Sequence, residues 1–306
     1  MPTQRGTLPD VYLAYAATLF FQEADEQKSL YPMVLNIEPS SKAYEDWFEV
    51  SGLGPFRLKP EGTPISYDDP AQGTRRRVVH QTYGLGSRIS FEAVDDAQYD
   101  VIKQIPKDLG PAGRESQEIL AWSLLNLGFV TTTYTTIDGL ALFSASHTIL
   151  KPKDPTVNTQ SNIANPGVAL SITGIEDMLT TMRLTKSQTD RFTPIKPEWI
   201  LVHPSKAHLA YQLLETQQEP FTNENQVSTV KTSRTGLKAL DVPWFTAVNA
   251  WFGLANKRNH KLTFHNRMDM TFDTGVDMQT KDNLMDAVYR ASVAQKHWYG
   301  TYGSNP

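Results

Sequence analysis

Residues 52–86 place the tightest limit on how this chain can fold. Gly52, Gly54, Pro55, Pro60, Gly62, Pro64, Pro70 and Gly73 interrupt the segment so often that no helix can run through it. Few of its side chains could fill a core, so it must stand outside one. The stretch TRRRVVHQTY is β-branched and aromatic, as a strand requires, and DDPAQG at residues 68–73 is a turn signal. The reading is a long β-hairpin projecting from the body, with Arg75, Arg76 and Arg77 on its descending arm. Consecutive arginines there either keep a solvated edge from pairing wrongly or touch a partner subunit.

The remaining segments read as a mixed α+β body. An apolar run from Val11 to Phe21 predicts an N-terminal amphipathic helix capped by Asp10. It is too short to span a bilayer and lacks a signal-peptide cleavage pattern, so no membrane partner is expected. RISFEAVDDAQYDVI reads as a strand passing into a helix with Asp95 and Asp96 in its first turn. Pro106, Gly110, Pro111 and Gly113 then predict an interruption. RESQEILAWSLLNLG follows as a long spine helix, with Ile119, Leu120, Leu124 and Leu127 as its apolar stripe and Gly128 as its stop. FVTTTYTT is strand-like, and the polar residues 151–167 form a long surface loop. Thr173 and Glu176 form a capping box before Ile175, Met178, Leu179 and Met182. WILVH is a buried strand, Pro204 opens a helix, and KLTFHNRMDMTFDTG alternates with Leu262, Phe264, Met268, Met270 and Phe272 on one face.

Little in the chain points to chemistry. There is no cysteine, which removes disulfides, thiolate zinc sites and cysteine nucleophiles. A net charge of −4 argues against a dedicated nucleic-acid reader. No phosphate-binding glycine loop occurs, and the histidines lack metal-ligand spacing, so no cofactor and no metal are expected. The acid pairs Asp68–Asp69 and Asp95–Asp96 have structural explanations in turn bonding and the helix dipole. The one suggestive cluster is DGLALFSASHTIL, where Ser144, Ser146 and His147 are the residue types of a hydrolase nucleophile and base. A serine-type hydrolase using Ser144 or Ser146 is therefore an alternative. It lacks the glycine-flanked nucleophile elbow, and a polar turn is the plainer reading.

The order of these segments resembles the major capsid proteins of tailed bacteriophages, of the Mu-type head-subunit group, with the Hong-Kong-ninety-seven-like capsid fold. RISFEAVDDAQYDVI, ESQEILAWSLLNLGF, DGLALFSASHTIL, WILVHPS and the closing HWYGTYGSNP carry the likeness, which runs from about Tyr31 to Pro306. The resemblance implies an N-terminal arm at 1–50, an extended hairpin loop at 51–88, a peripheral domain with the spine helix at 89–166 and 284–306, and an axial domain at 167–283. It implies a structural virion protein, not an enzyme, that assembles with itself into pentamers and hexamers of an icosahedral shell enclosing double-stranded DNA. Portal, scaffold and decoration proteins would be its other partners, and the host cytoplasm its place of assembly. Lys59, Asp68, Asp69, Arg75, Arg76 and Arg77 are then expected at inter-subunit contacts of the extended loop. Some relatives cross-link through a loop lysine; for Lys59 an ordinary exposed lysine is expected instead. A nanocompartment shell enclosing cargo is the alternative within the same fold.

Overall fold

The computed structural model describes residues 7–95, 99–154, 156, 158–216, 230 and 236–306. Two four-stranded sheets organise them. The first has the order β1 (Asn36–Pro39), β10 (Leu262–Val276), β11 (Asn283–Gln295), β4 (Gln81–Ile89). β1 runs parallel to β10, and the other neighbours are antiparallel. Phe264, Met285, Ala287, Tyr289 and Val293 alternate onto one face of this sheet. There they meet Phe20 of α1 (Thr7–Glu26), Tyr31 of α2 (Tyr31–Val34) and Leu120, Trp122 and Leu124 of α4 (Tyr99–Asn126) in one buried cluster.

The second sheet has the order β12 (Thr301–Ser304), β9 (Trp251–Ala255), β7 (Pro197–Val202), β8 (Lys238–Asp241). Every residue of β9 is buried, and α5 (Ile172–Arg183) and α6 (Ala207–Glu215) pack in the cluster that holds Ile200, Trp251 and Tyr302. Strands and helices thus alternate irregularly around two apolar clusters, which is α+β architecture.

The spine helix is longer than the sequence predicts. α4 is continuous from Tyr99 and contains both Pro106 and Pro111. Its glycines mark close contacts instead of a break, Gly110 with α1 and Gly113 with Met270 of β10. A Cβ on Gly110 would lie 2.5 Å from Phe20 O and 2.9 Å from Ala24 N. Close helix packing there offsets the weakened helix propensity. The apolar stripe is also rotated: Gln117, Leu120, Ala121, Leu124 and Leu125 are buried, while Ile119 and Leu127 are exposed. Buried Glu118 holds the helix to the preceding segment, accepting from Leu30 N at 2.5 Å and from Trp122 Nε1 at 2.7 Å.

Other local expectations shift by a few residues. α1 begins at Thr7, so Asp10 lies inside the helix and does not cap it. Asp95 ends the short α3 (Phe91–Asp95), and Asp96 lies outside the described residues. Ser171, not Thr173, caps α5 by accepting from Gly174 N. FVTTTYTT contributes only the isolated bridge Thr135–Ala141. Register shifts in β10 break its alternation, leaving Met268 exposed. The expected boundary after residue 283 falls at the first residue of β11, which pairs with β10 along most of its length, and β12 sits in the second sheet.

Candidate assembly surfaces

The projecting hairpin is built from β2 (Tyr44–Val50) and β3 (Gln72–Val79), paired antiparallel with Tyr44 opposite Val79 and Val50 opposite Gln72. Its ascending arm therefore precedes Gly52, in a stretch whose sequence shows no sustained period. Residues 51–71 between the arms form no helix or strand. They turn at Pro60–Thr63, where Thr63 N donates to Pro60 O at 3.2 Å. DDPAQG is thus the foot of the loop and not its tip. Asp68 accepts from Gly54 N at 2.7 Å and pairs with Lys151 at 3.2 Å, and Lys151 also donates to Asp69 O. The Gly54 N–H and the Lys151 ammonium hold the Asp68 carboxyl below its ordinary range. This contact ties the hairpin foot to the surface loop at 151–167.

The arginine triplet divides by strand period. Arg75 and Arg77 lie on the exposed face and share Asp46, which Arg77 contacts at 2.9 and 3.0 Å. Their guanidinium groups lie over Phe48 and Tyr44. Arg76 points to the body, where its Nη1 donates to Gln295 O at 3.4 Å. Burial lowers its pKa to about 10, so it remains a cation at neutral pH. Lys59 is exposed on the loop. The same loop carries Phe56, Leu58 and Tyr67, each more than nine-tenths exposed. Together they leave an apolar surface of large side chains in water. On the body, a groove of about 380 Å³ between α4 and β4 is lined by Tyr83, Glu115, Ser116, Ile119, Leu120 and Tyr134 among others.

The serine cluster does not form a catalytic site. His147 is fully buried, with Nδ1 2.7 Å from Asp138 Oδ2 and Nε2 3.3 Å from Leu142 O. A hydrolase would need a serine hydroxyl at Nε2, and a backbone carbonyl occupies that place. Ser144 Oγ instead lies 3.5 Å from Ser146 Oγ and accepts from Ser146 N. The segment is a structural turn. Gly139 takes φ = 80°, Leu142 and Phe143 enter the core, and β5 (His147–Thr148) pairs with β6 (Thr159–Gln160). Sequence reading missed Asn162, which accepts from Ser144 N at 2.9 Å and donates to Leu142 O at 2.7 Å. It also missed Trp298, stacked on His147. Asn162 stands in no quoted motif, and Trp298 lies in the closing HWYGTYGSNP, far from His147 in the chain; only the fold brings them near. Among the described residues, no group of three or more His, Cys, Asp or Glu could hold a metal, and no helix is long and apolar enough to cross a membrane.

A family model described as phage capsid protein matches residues 74–303. Curated protein sequences gave no match. Among solved structures, a virus-like particle from Pyrococcus furiosus is similar at 10% identity and TM-score 0.54, over 96% of this chain and 99% of that one. The capsid of an empty GTA particle is similar at 9% identity and TM-score 0.55, over 90% of each chain. The capsid of bacteriophage JBD30, decorated with minor capsid protein trimers, is similar at 14% identity and TM-score 0.53, over 72% of this chain and 92% of that one.

Proposed function

This chain belongs to the phage capsid protein family, and from that membership we propose that it is the major head subunit of a tailed-phage particle. Its α+β architecture is the Hong-Kong-ninety-seven-like capsid fold. On this reading it assembles with itself into pentamers and hexamers of an icosahedral shell around double-stranded DNA, as a member of the Mu-type head-subunit group. The exposed apolar loop carries the proposal: Phe56, Leu58 and Tyr67 lie in water in the single subunit. Burying each against a neighbour would contribute on the order of 1.5–3 kcal/mol.

The division of labour follows. The hairpin is the extended loop, with Lys59, Asp68, Asp69, Arg75 and Arg77 available at or beside the contact, while Arg76 anchors its root. The sheet with α4 is the peripheral domain, and the sheet with α5 and α6 is the axial domain. Head-to-tail contacts of this kind close into rings when the rotation permits, and many modest interfaces together stabilise a shell. Portal, scaffold and decoration proteins are the further partners proposed, with assembly in the host cytoplasm and the finished subunit in the virion.

The test is assembly. The purified chain, with any scaffold supplied, should give capsomers or shells by electron microscopy; a small monodisperse oligomer under all such conditions would overturn the reading. The match over 99% of the virus-like particle chain favours a second reading, a shell around cargo. Nuclease-protected DNA in native particles decides between them.

A further inference from the structure

The hairpin joins the body at two places: residues 40–43, between β1 and β2, and His80, which alone separates β3 from β4. His80 is buried at this root. Its Nδ1 lies 2.9 Å from Ser292 Oγ on β11, and its Nε2 lies 3.2 Å from Ser40 Oγ in the other connection. Ser40 donates its own proton to Glu45 Oε1 at 2.8 Å. Ser40 must therefore accept from His80 Nε2–H, which leaves Nδ1 to accept from Ser292. A neutral ring satisfies both.

His265 of β10 stands behind it, also buried, with the ring centroids 6.0 Å apart. Trp47 of β2 covers it at 5.6 Å. Its Nδ1 is 3.8 Å from Glu38 Oε2, and its Nε2 has no partner among the described residues. The charged groups facing the two rings are Glu45 from β2, Glu38 from β1, Arg267 from β10, Arg290 from β11 and Lys296 just beyond it. Lys42 pairs with Glu45 at 3.3 Å. Cations already outnumber carboxylates here while both imidazoles are neutral.

We propose that His80 and His265 form an acid-released latch that seats the hairpin on the first sheet when neutral and frees it to swing when protonated. A proton on His80 Nδ1 ends its acceptance from Ser292. A proton on either ring adds a cation between Arg267, Arg290 and Lys296. Burial disfavours the charged form of both rings, so the seated hairpin binds fewer protons than the released one. The seat is accordingly at full strength above the ordinary imidazole value of 6.5 and weakens as pH falls below it. The latch belongs to the single subunit and stands apart from the shell reading.

Glu49 on β2 has the opposite sign, because burial and the Asp138 charge raise its pKa to about 7. The test therefore uses the full chain carrying Glu49→Gln, kept below its assembly concentration. Hydrogen exchange, corrected for the intrinsic rate, is followed in peptides 44–50 and 72–79, with 197–202 as reference. Each histidine can change the seated-to-released ratio by up to about tenfold per pH unit. Exchange in the hairpin should rise at least about tenfold between pH 7.5 and 5.5 while the reference stays protected. Adding His80→Gln and His265→Gln should abolish that rise. Protection independent of pH in the first protein, or an undiminished rise in the second, overturns the latch. If the double histidine variant does not fold, Ser292→Ala decides: losing the donor to Nδ1 should move release to higher pH, and an unmoved midpoint overturns the proposal.

Discussion

His147 Nδ1 lies 2.7 Å from Asp138 Oδ2, and the His147 ring stacks on Trp298 with centroids 4.6 Å apart. Asp138 in the turn at Gly139 and His147 at the start of β5, nine residues apart, meet there the distant segment before β12. Burial opposes a charged Asp138, but His147 and Thr136 donate to it and hold its carboxyl below the ordinary range. The pair is a polar staple inside the body.

Breaking that staple should destabilise the fold without touching any activity. Asp138→Ala or His147→Ala leaves one buried polar group without its partner, a loss on the order of 3–5 kcal/mol. Ser144→Ala with Ser146→Ala should cost under about 1 kcal/mol. Urea unfolding measures both. Equal losses in the two cases would contradict the structural role assigned to His147.

Gly110→Ala should destabilise the chain by about 1–3 kcal/mol even though alanine is the better helix former. Its Cβ would meet the backbone of α1, which cannot step aside. Gly113→Ala should cost less, because it meets the flexible Met270 side chain, at 2.3 Å from Sδ. The order of the two thermal midpoints is the readout.

Glu49→Gln should stabilise the chain at high pH only. Gln188 Nε2 donates to Glu49 Oε1 at 2.8 Å, and a glutamine keeps that bond. The folded carboxyl titrates near 7, above its unfolded value of 4.5, so the native glutamate loses stability as pH rises through that interval. The gain at pH 8 should be on the order of 1–3 kcal/mol, reduced by solvent screening, and should vanish near pH 4.5. Denaturant titrations at the two pH values check it.

Replacing Phe56, Leu58 and Tyr67 together by serine should leave the subunit fold intact and prevent assembly. These side chains contact water, so the thermal midpoint should stay within about 2 °C. Circular dichroism and light scattering separate the two effects; loss of fold would show that the loop serves the body.

Assembled particles boiled in detergent should release monomers near 34.3 kDa. Lys59 is exposed on the loop and is read as an ordinary surface lysine. A ladder of multimers would show a covalent link.

The hairpin was legible because glycine and proline forbid the alternatives. Its arms were less so: YEDWFEV shows no clean alternation, since its partner strand and the body cover it unevenly. The spine helix was found but cut short, because Pro106 and Pro111 are local signals while the contact of Gly110 with α1 is tertiary. Ile175, Met178, Leu179 and Met182 lie buried on α5 as their spacing predicts. The two histidines at the hairpin root were invisible. His80 and His265 lie far apart in the chain, and only the register of β10, β11 and β4 makes them neighbours.

β3 passes into β4 through one residue, so the descending arm of the hairpin and the main sheet lie on a single run of chain. A pull on the loop, such as a moving neighbour would apply, therefore travels along the backbone into β4. There it meets the ladder from Gln81 opposite Ala291 to Ile89 opposite Asn283. Those rungs are perpendicular to the load and resist it together in shear, where a ladder peeled from one end would yield rung by rung. The hairpin is a tether with a mechanically strong anchorage as well as a surface.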